Sequence, residues 1–400
     1  MRSLSEALRR APWFSRTTLD PESLRVLDEL EVEGTTLRWA EVRGEQRTAI
    51  LVLGDTDTDL LRAMLVLPAR ESWPTRAGGV LRWRGPVRSG LRLDEVMDTT
   101  ATNAVGRAAG NLVIKAYRVL GDDRGEPSLL STMDGSDLLP KPLGHLEYEG
   151  PEASDSGCLA LITHAVEGSP LDHPLRAALR SGTSPPSRLL RAVRDALSAL
   201  HDQFADGAEA KAMPLTNRLP ELRCLVSQVR STLPYVAEHR RELLDQCAAF
   251  PMDSDYPAGP RHGDLHLAHV LVDDAQRVRF VDPDGLAVEA SSPLDDFAAL
   301  CRAVECFAAD EETARTAREL GVDKYRFASE LRTAPGAEWA AEVNRGLTAG
   351  IDPDALALPY LLRALHELRY HGERAGDPEA DYYADLTWVS LAEFLRGFHS

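Results

Sequence analysis

The sequence predicts an α+β chain that is strand-rich first and mostly helical from about Pro174 onward. Three observations predict it. Between residues 31 and 120, short apolar runs alternate with Gly, Pro and Asp, the pattern of strands and turns. After Pro174, apolar residues recur at helical spacing, as in Leu189, Leu190, Val193, Leu197 and Leu200. One stretch in the helical part breaks that rule. In Pro260–Gly285, the apolar runs Ala268–Val272 and Val278–Val281 flank a polar turn, Asp273–Arg277, which reads as a β-hairpin.

Composition narrows the possibilities. At 400 residues the chain is long enough for two or three domains. No window approaches ~20 uninterrupted apolar residues, so no membrane span is expected. The charged start, MRSLSEALRRAPWFSR, has no apolar core of a secretory signal, and a cytoplasmic protein is expected. The formal net charge of −18 argues against nucleic acid or an anionic membrane as partner. It leaves room for a nucleotide, which needs only a local positive spot and Mg²⁺. The five cysteines, Cys158, Cys224, Cys247, Cys301 and Cys306, contain no Cys-x-x-Cys pair and read as buried free thiols. Lysines are few: Lys115, Lys141, Lys211 and Lys324. A lysine inside an apolar strand therefore stands out.

In order along the chain, Ser3–Arg10 suggests a short helix, and Pro12-Trp13-Phe14 an anchor for the N-terminus. Thr36–Val42, Arg47–Leu53, Gly79–Arg84 and Gly90–Asp94 read as strands of a small β-rich domain, with Leu60–Leu67 as a helix among them. Thr99–Val105 and Asn111–Tyr117 form a second hairpin about a Gly106–Gly110 turn, and Lys115 lies in its apolar second strand. Burying a lysine is costly unless it is paired. Glu126 opens an amphipathic stretch ending near Met133, and Cys158–Val166 is an apolar strand. Helices are expected at Ser187–Phe204, Leu219–Leu233, Val236–Phe250, Ser291–Ala308, Leu358–Gly372 and Ala384–Phe398. The fourth has Ser292 as cap, Pro293 in its first turn, and Asp295 and Asp296 at its positive end.

The hairpin carries the chemistry. His262-Gly263-Asp264 precedes it and Asp282-Pro283-Asp284-Gly285 follows it, so Asp264 and Asp282 should meet at one rim. Two carboxylates there repel unless a cation or a shared proton lies between them. Phosphoryl-transfer sites use such a pair, one Asp accepting the attacking hydroxyl's proton and the other holding Mg²⁺.

HGDLHLAHVLV and VRFVDPDG resemble the catalytic segment of the aminoglycoside-phosphotransferase and protein-kinase-like superfamily, and HGDLHL is closest to bacterial maltokinases and actinobacterial glucosamine kinases. The resemblance implies a bilobal, protein-kinase-like fold: a small N-terminal cap (1–96), a β-rich nucleotide-binding lobe with hinge (97–167) and a mostly helical lobe (168–400). It implies ATP and Mg²⁺ as cofactors. It makes Asp264 the catalytic base and Asp282 the principal metal ligand. His269 stands where the family has an amide metal ligand, and Asp284 is a candidate for a second ion. Lys115 would hold the phosphates, positioned by Glu126, and His164 to Val166 would supply the adenine-binding backbone. Asp296 is a candidate for orienting the catalytic loop. For the acceptor it points to Glu367, Arg369 and Tyr370. Asp284 or Glu289 would balance a protonated amine, which needs a partner once desolvated.

The expected function is thus ATP-dependent phosphorylation of a sugar hydroxyl, glucosamine first, with maltose and then an aminoglycoside or aminocyclitol as alternatives. The expected state is a monomer or small homo-oligomer. A pseudokinase-like binding protein is the non-enzymatic alternative, and it would draw on His269 in place of the amide. A hydrolase with His262 or His266 as base lacks a nucleophile elbow such as Gly-x-Ser-x-Gly.

Overall fold

In the computed structural model the chain divides into two units, Met1–Val166 and Glu167–Ser400. Residues 4–11, 14, 19–44, 48–100, 102–121, 125–152, 156–205, 211–232, 238–250, 255–284, 291–325 and 334–398 are described. As expected for an α+β chain, the N-terminal part is antiparallel and β-rich and the C-terminal part is helical.

The first unit begins with α1 (Leu4–Arg10) and an antiparallel meander of β1 (Leu19–Val32), β2 (Thr35–Gly44) and β3 (Thr48–Leu53). Strand β1 has no counterpart among the sequence expectations. Its segment, LDPESLRVLDELEV, carries charges on both faces and no clean alternation. Helix α2 (Asp57–Val66) starts at Thr56, whose hydroxyl accepts from the Asp59 N–H at 3.1 Å. There follow β4 (Ser72–Pro74), β5 (Val80–Arg84), β6 (Leu93–Thr99), β7 (Asn103–Ala108), β8 (Leu112–Tyr117), α3 (Glu126–Thr132), β9 (Pro142–Glu149) and β10 (Gly157–His164).

These strands make one seven-stranded sheet in the order β4-β5-β9-β10-β8-β7-β6. It takes strands from both sides of residue 96, where a boundary between cap and lobe was expected. Leu60, Leu61 and Met64 of α2 are buried with Trp39, Leu81, Ile114, Leu146 and Ile162. Full burial of such a side chain is worth about 1.5–3 kcal/mol. Trp39 stacks on Tyr148 with ring centroids 4.6 Å apart. The β7–β8 turn lies later than expected. Gly106 is inside β7, paired with Ile114, and the chain reverses at Gly110 and Asn111, both left-handed (φ 84° and 58°). The expected turn at Gly106–Gly110 is corrected accordingly.

The second unit contains β11 (Ser169–Pro170), α4 (Asp172–Arg180), α5 (Ser187–Phe204), β12 (Lys211–Pro214), α6 (Leu219–Thr232), α7 (Glu238–Ala248), β13 (Asp255–Ala258), β14 (Val270–Val272), β15 (Val278–Phe280), α8 (Pro293–Leu320), α9 (Ala337–Leu347), α10 (Pro353–Gly372) and α11 (Pro378–Phe398). One of its cores packs α6, α7, α10 and α11 around Leu222, Leu244, Leu361, Leu365, Trp388 and Leu391. Helix α8 runs twelve residues past the expected end, to a left-handed Gly321. Of the cysteines, Cys158, Cys247 and Cys301 are buried, Cys306 is half-buried and Cys224 is exposed, all as free thiols. Among the described residues no helix is long and apolar enough to cross a membrane.

Candidate active site

The expected hairpin is present and its two ends are stitched together. β14 and β15 pair with Val270 opposite Phe280 and Val272 opposite Val278. Beyond the strands, the Val281 N–H donates to the His269 carbonyl (3.0 Å) and the Asp284 N–H to the His262 carbonyl (2.6 Å). The His262 ring donates from Nε2 to the Val281 carbonyl at 2.9 Å. Asp264 thus follows one stitched position and Asp282 lies between two others. Asp282 adopts a left-handed backbone, φ 58°, which Asp tolerates better than bulkier residues. Gly263, φ 88°, has no such latitude, because a Cβ there would come within 3.0 Å of the Asp284 Cβ.

The loop is anchored by the start of α8. Ser292 and Asp295 form a reciprocal capping box. Asp295 also receives Arg218 and Arg261, each at 2.5 Å. Asp296 is 1 % exposed, and its carboxylate accepts from His201 Nε2 (2.8 Å), the His262 N–H (2.6 Å) and the Gly263 N–H (3.0 Å). Burial alone would raise its pKa, but the hydrogen bond and charge of His201, with the His262 and Gly263 contributions, hold it below the ordinary carboxylate value. Burial pushes the His262 imidazole below its usual value, and it stays neutral with its proton on Nε2. Asp296 therefore holds the two residues before Asp264 through their main chain.

His269 is placed by the same loop. Its Nδ1 donates to the Asp264 carbonyl at 2.7 Å, which leaves the lone pair on Nε2. That nitrogen lies 3.6 Å from Asp282 Oδ2. A lone pair facing a carboxylate oxygen calls for a cation or a proton between them, and a backbone-pinned ring nitrogen is the arrangement that orients a ligating histidine. The pair fits a divalent cation. Next to it, His266 caps a short 3₁₀ turn (Leu267–His269), its Nδ1 accepting from the Ala268 N–H at 3.3 Å. The His266 and His269 rings stand 3.6 Å apart, and burial together with the neighbouring His269 lowers His266 to about 4.

In the first unit, Lys115 Nζ bonds Glu126 Oε2 at 2.7 Å, and Tyr117 Oη donates to the same oxygen at 2.8 Å. The side chains are 14 % and 5 % exposed, so the strand lysine and the helix-opening glutamate form the buried pair that sequence reasoning joined. At the end of β10 the His164 N–H is committed to the Lys141 carbonyl and the Ala165 N–H to the Asn111 carbonyl, each at 2.8 Å. Val166 is half-buried, one residue further.

The acceptor candidates do not converge. Glu367 turns inward to Arg302, which is 0 % exposed, at 2.9 Å, and takes Arg363 at 3.1 Å. Arg302 also holds Glu305 at 2.6 Å, and Tyr360 Oη donates to Glu305 at 2.6 Å. Burial raises the Glu305 pKa more than Arg302 lowers it, whereas for Glu367 the pull of Arg302 and Arg363 outweighs burial. Arg369 reaches Gln228 on α6 at 3.3 Å, and Tyr370 is exposed under the Arg374 guanidinium. Glu289 and Gly285 lie outside the described residues. Sequence reasoning did not find Arg302, since nothing in its spacing separates a buried arginine from a surface one.

Residues 136–331 match the Phosphotransferase enzyme family. With the fold, this match supports a phosphotransferase enzyme. Among solved structures, a glucosamine kinase in complex with glucosamine, ADP and inorganic phosphate is similar over 94 % of this chain and 97 % of its own, at 19 % identity and a TM-score of 0.61. A second glucosamine kinase crystal form matches 99 % of this chain and 100 % of its own, at 17 % identity and a TM-score of 0.54. The GDP complex of an aminoglycoside 2'-phosphotransferase matches 77 % of this chain and 92 % of its own, at 17 % identity and a TM-score of 0.45. No curated protein matches the chain by sequence. At these identities the likeness is one of fold.

Proposed function

We propose that this phosphotransferase is a cytoplasmic, ATP- and Mg²⁺-dependent kinase of a small sugar, with glucosamine as the favoured acceptor. The observation that carries the kinase reading is the buried Lys115–Glu126 pair at 2.7 Å, in a chain whose catalytic segment is a stitched hairpin with Asp264 and Asp282 at its ends. Lys115 then holds the phosphates of the nucleotide, positioned by Glu126. Asp264 accepts the proton of the attacking hydroxyl, and Asp296 positions it through the backbone of His262 and Gly263. Asp282 and His269 would hold Mg²⁺, whose chemistry is to neutralise charge on the phosphates. The hinge donor reduces to the Val166 N–H, with the carbonyls as acceptors, because the His164 and Ala165 N–H groups are already engaged.

Glucosamine is supported by the near-complete match to a glucosamine kinase fold and by the acidic Asp284 beside the catalytic loop, suited to a protonated amine. An ADP-release assay across glucosamine, maltose, glucose, N-acetylglucosamine and aminoglycosides, with and without Mg²⁺, tests both parts. Turnover is expected with glucosamine and only with metal. Turnover confined to another acceptor would overturn the substrate, and nucleotide binding without turnover on any acceptor would overturn the kinase reading in favour of a scaffold.

A further inference from the structure

His266 has no part in the reaction just proposed, yet it completes a metal-ligand geometry. One ligand atom each from Asp264, His266 and His269 lies within 4.8 Å of the other two, and all three residues are half-buried. A tetrahedral zinc with bonds of about 2.0–2.1 Å spaces its ligands roughly 3.4 Å apart, so small side-chain rotations close the set. His269 is prepared for this, because its Nδ1–H is held by the Asp264 carbonyl at 2.7 Å and Nε2 already carries the lone pair. His266 gives up only the 3.3 Å bond from Ala268. Two imidazoles and one carboxylate suit zinc and its late first-row neighbours, whereas Mg²⁺ prefers oxygen ligands.

We propose that Asp264, His266 and His269 form a second, inhibitory metal site for a nitrogen-preferring divalent cation of the zinc type. A cation there occupies the Asp264 carboxylate and takes His269 Nε2 away from the Asp282 pair, so it excludes both the base and a full Mg²⁺ shell. The inhibitory half rests on the kinase reading; the binding half does not.

Two readouts separate them. Calorimetric titration of metal-free protein with Zn²⁺, repeated with Co²⁺ by its visible absorption, reads binding without catalysis. One equivalent is expected, undisplaced by millimolar Mg²⁺, with affinity lowered more than about 100-fold in His266→Ala, beyond the usual loss of an outer-shell partner. His269→Asn, which keeps a donor for the Asp264 carbonyl, should lose binding likewise and serves if His266→Ala does not fold. In the ADP-release assay, Zn²⁺ should inhibit the wild type, and His266→Ala should need at least about tenfold more. Equal Zn²⁺ affinity in wild type and His266→Ala overturns the proposal, as does binding lost in Asp282→Asn but kept in both histidine variants. Absence of turnover with every acceptor removes the kinase reading and leaves the titration to decide the site.

Discussion

Asp296→Asn tests whether the catalytic loop hangs from the start of α8. The carboxylate takes three N–H groups on two oxygens: His201 and His262 on Oδ2, Gly263 on Oδ1. An amide with its oxygen toward His201 and His262 turns an NH₂ toward the Gly263 N–H. Two bonds then fall from charge-assisted to neutral strength, about 1 kcal/mol each, and one buried N–H is left facing a donor, at about 1–3 kcal/mol. Relief of a buried charge offsets part of this. The net expectation is about 3 kcal/mol, or roughly 6–12 °C in the melting temperature of a unit this size. Thermal unfolding and ADP release, read side by side with Asp264→Asn, provide the assay. Asp264 is half-exposed and lies on the loop rather than under it, so Asp264→Asn should melt within about 2 °C of wild type and lose a factor of roughly 10²–10⁴ in rate. Because the folded pKa of Asp296 lies below the ordinary 3.8, its stabilising contribution is complete above that pH and is lost as pH falls through the folded value. The gap between wild type and Asp296→Asn should therefore be flat near neutrality and shrink in acid. A variant that melts with the wild type and turns over normally would refute the anchoring role.

Lys115→Met leaves the buried Glu126 without its cation and should destabilise the protein by about 3–5 kcal/mol; adding Glu126→Gln should recover part of that, and equal melting of single and double variants would count against the pair. Gly263→Ala places a Cβ 3.0 Å from the Asp284 Cβ at φ 88°, so a loss of about 1–2 kcal/mol from backbone strain is expected, with a further drop in turnover, measurable by denaturant unfolding and ADP release. Arg302→Met takes the buried cation from Glu305 and leaves Glu367 with Arg363 alone, and about 3–5 kcal/mol should be lost in denaturant unfolding.

The hairpin between Asp264 and Asp282 was legible because its short runs and polar turn are local signals, and two carboxylates at one rim have few physical solutions. Lys115 was legible for a similar reason: a lysine in an apolar strand must find a counter-charge, and Glu126 lay within reach. The helix at Ser292 announced itself through its cap residues. What stayed hidden depends on long-range partners. Glu367 reads as a solvent-facing helix residue until Arg302, 65 residues away, claims it. Strand β1 is held by its pairing with β2 and not by its own alternation. His201 and Asp296 meet across 95 residues, a contact no spacing rule supplies.

The strand order of the seven-stranded sheet bears on how the protein can be cut. β5 pairs with β9 along Val80–Arg84, so the first third of the chain supplies the neighbour that covers one side of β9. A chain begun at residue 97 would leave β9, with Leu146 and Tyr148, as a bare hydrogen-bonding edge, the kind of surface that recruits other chains. The segment before the Lys115 strand is thus not a removable attachment. During folding, β9 must wait for a partner some sixty residues behind it, a long loop to close. Lys115 sits two strands away, in β8, so its setting is completed only when that distant edge is sealed.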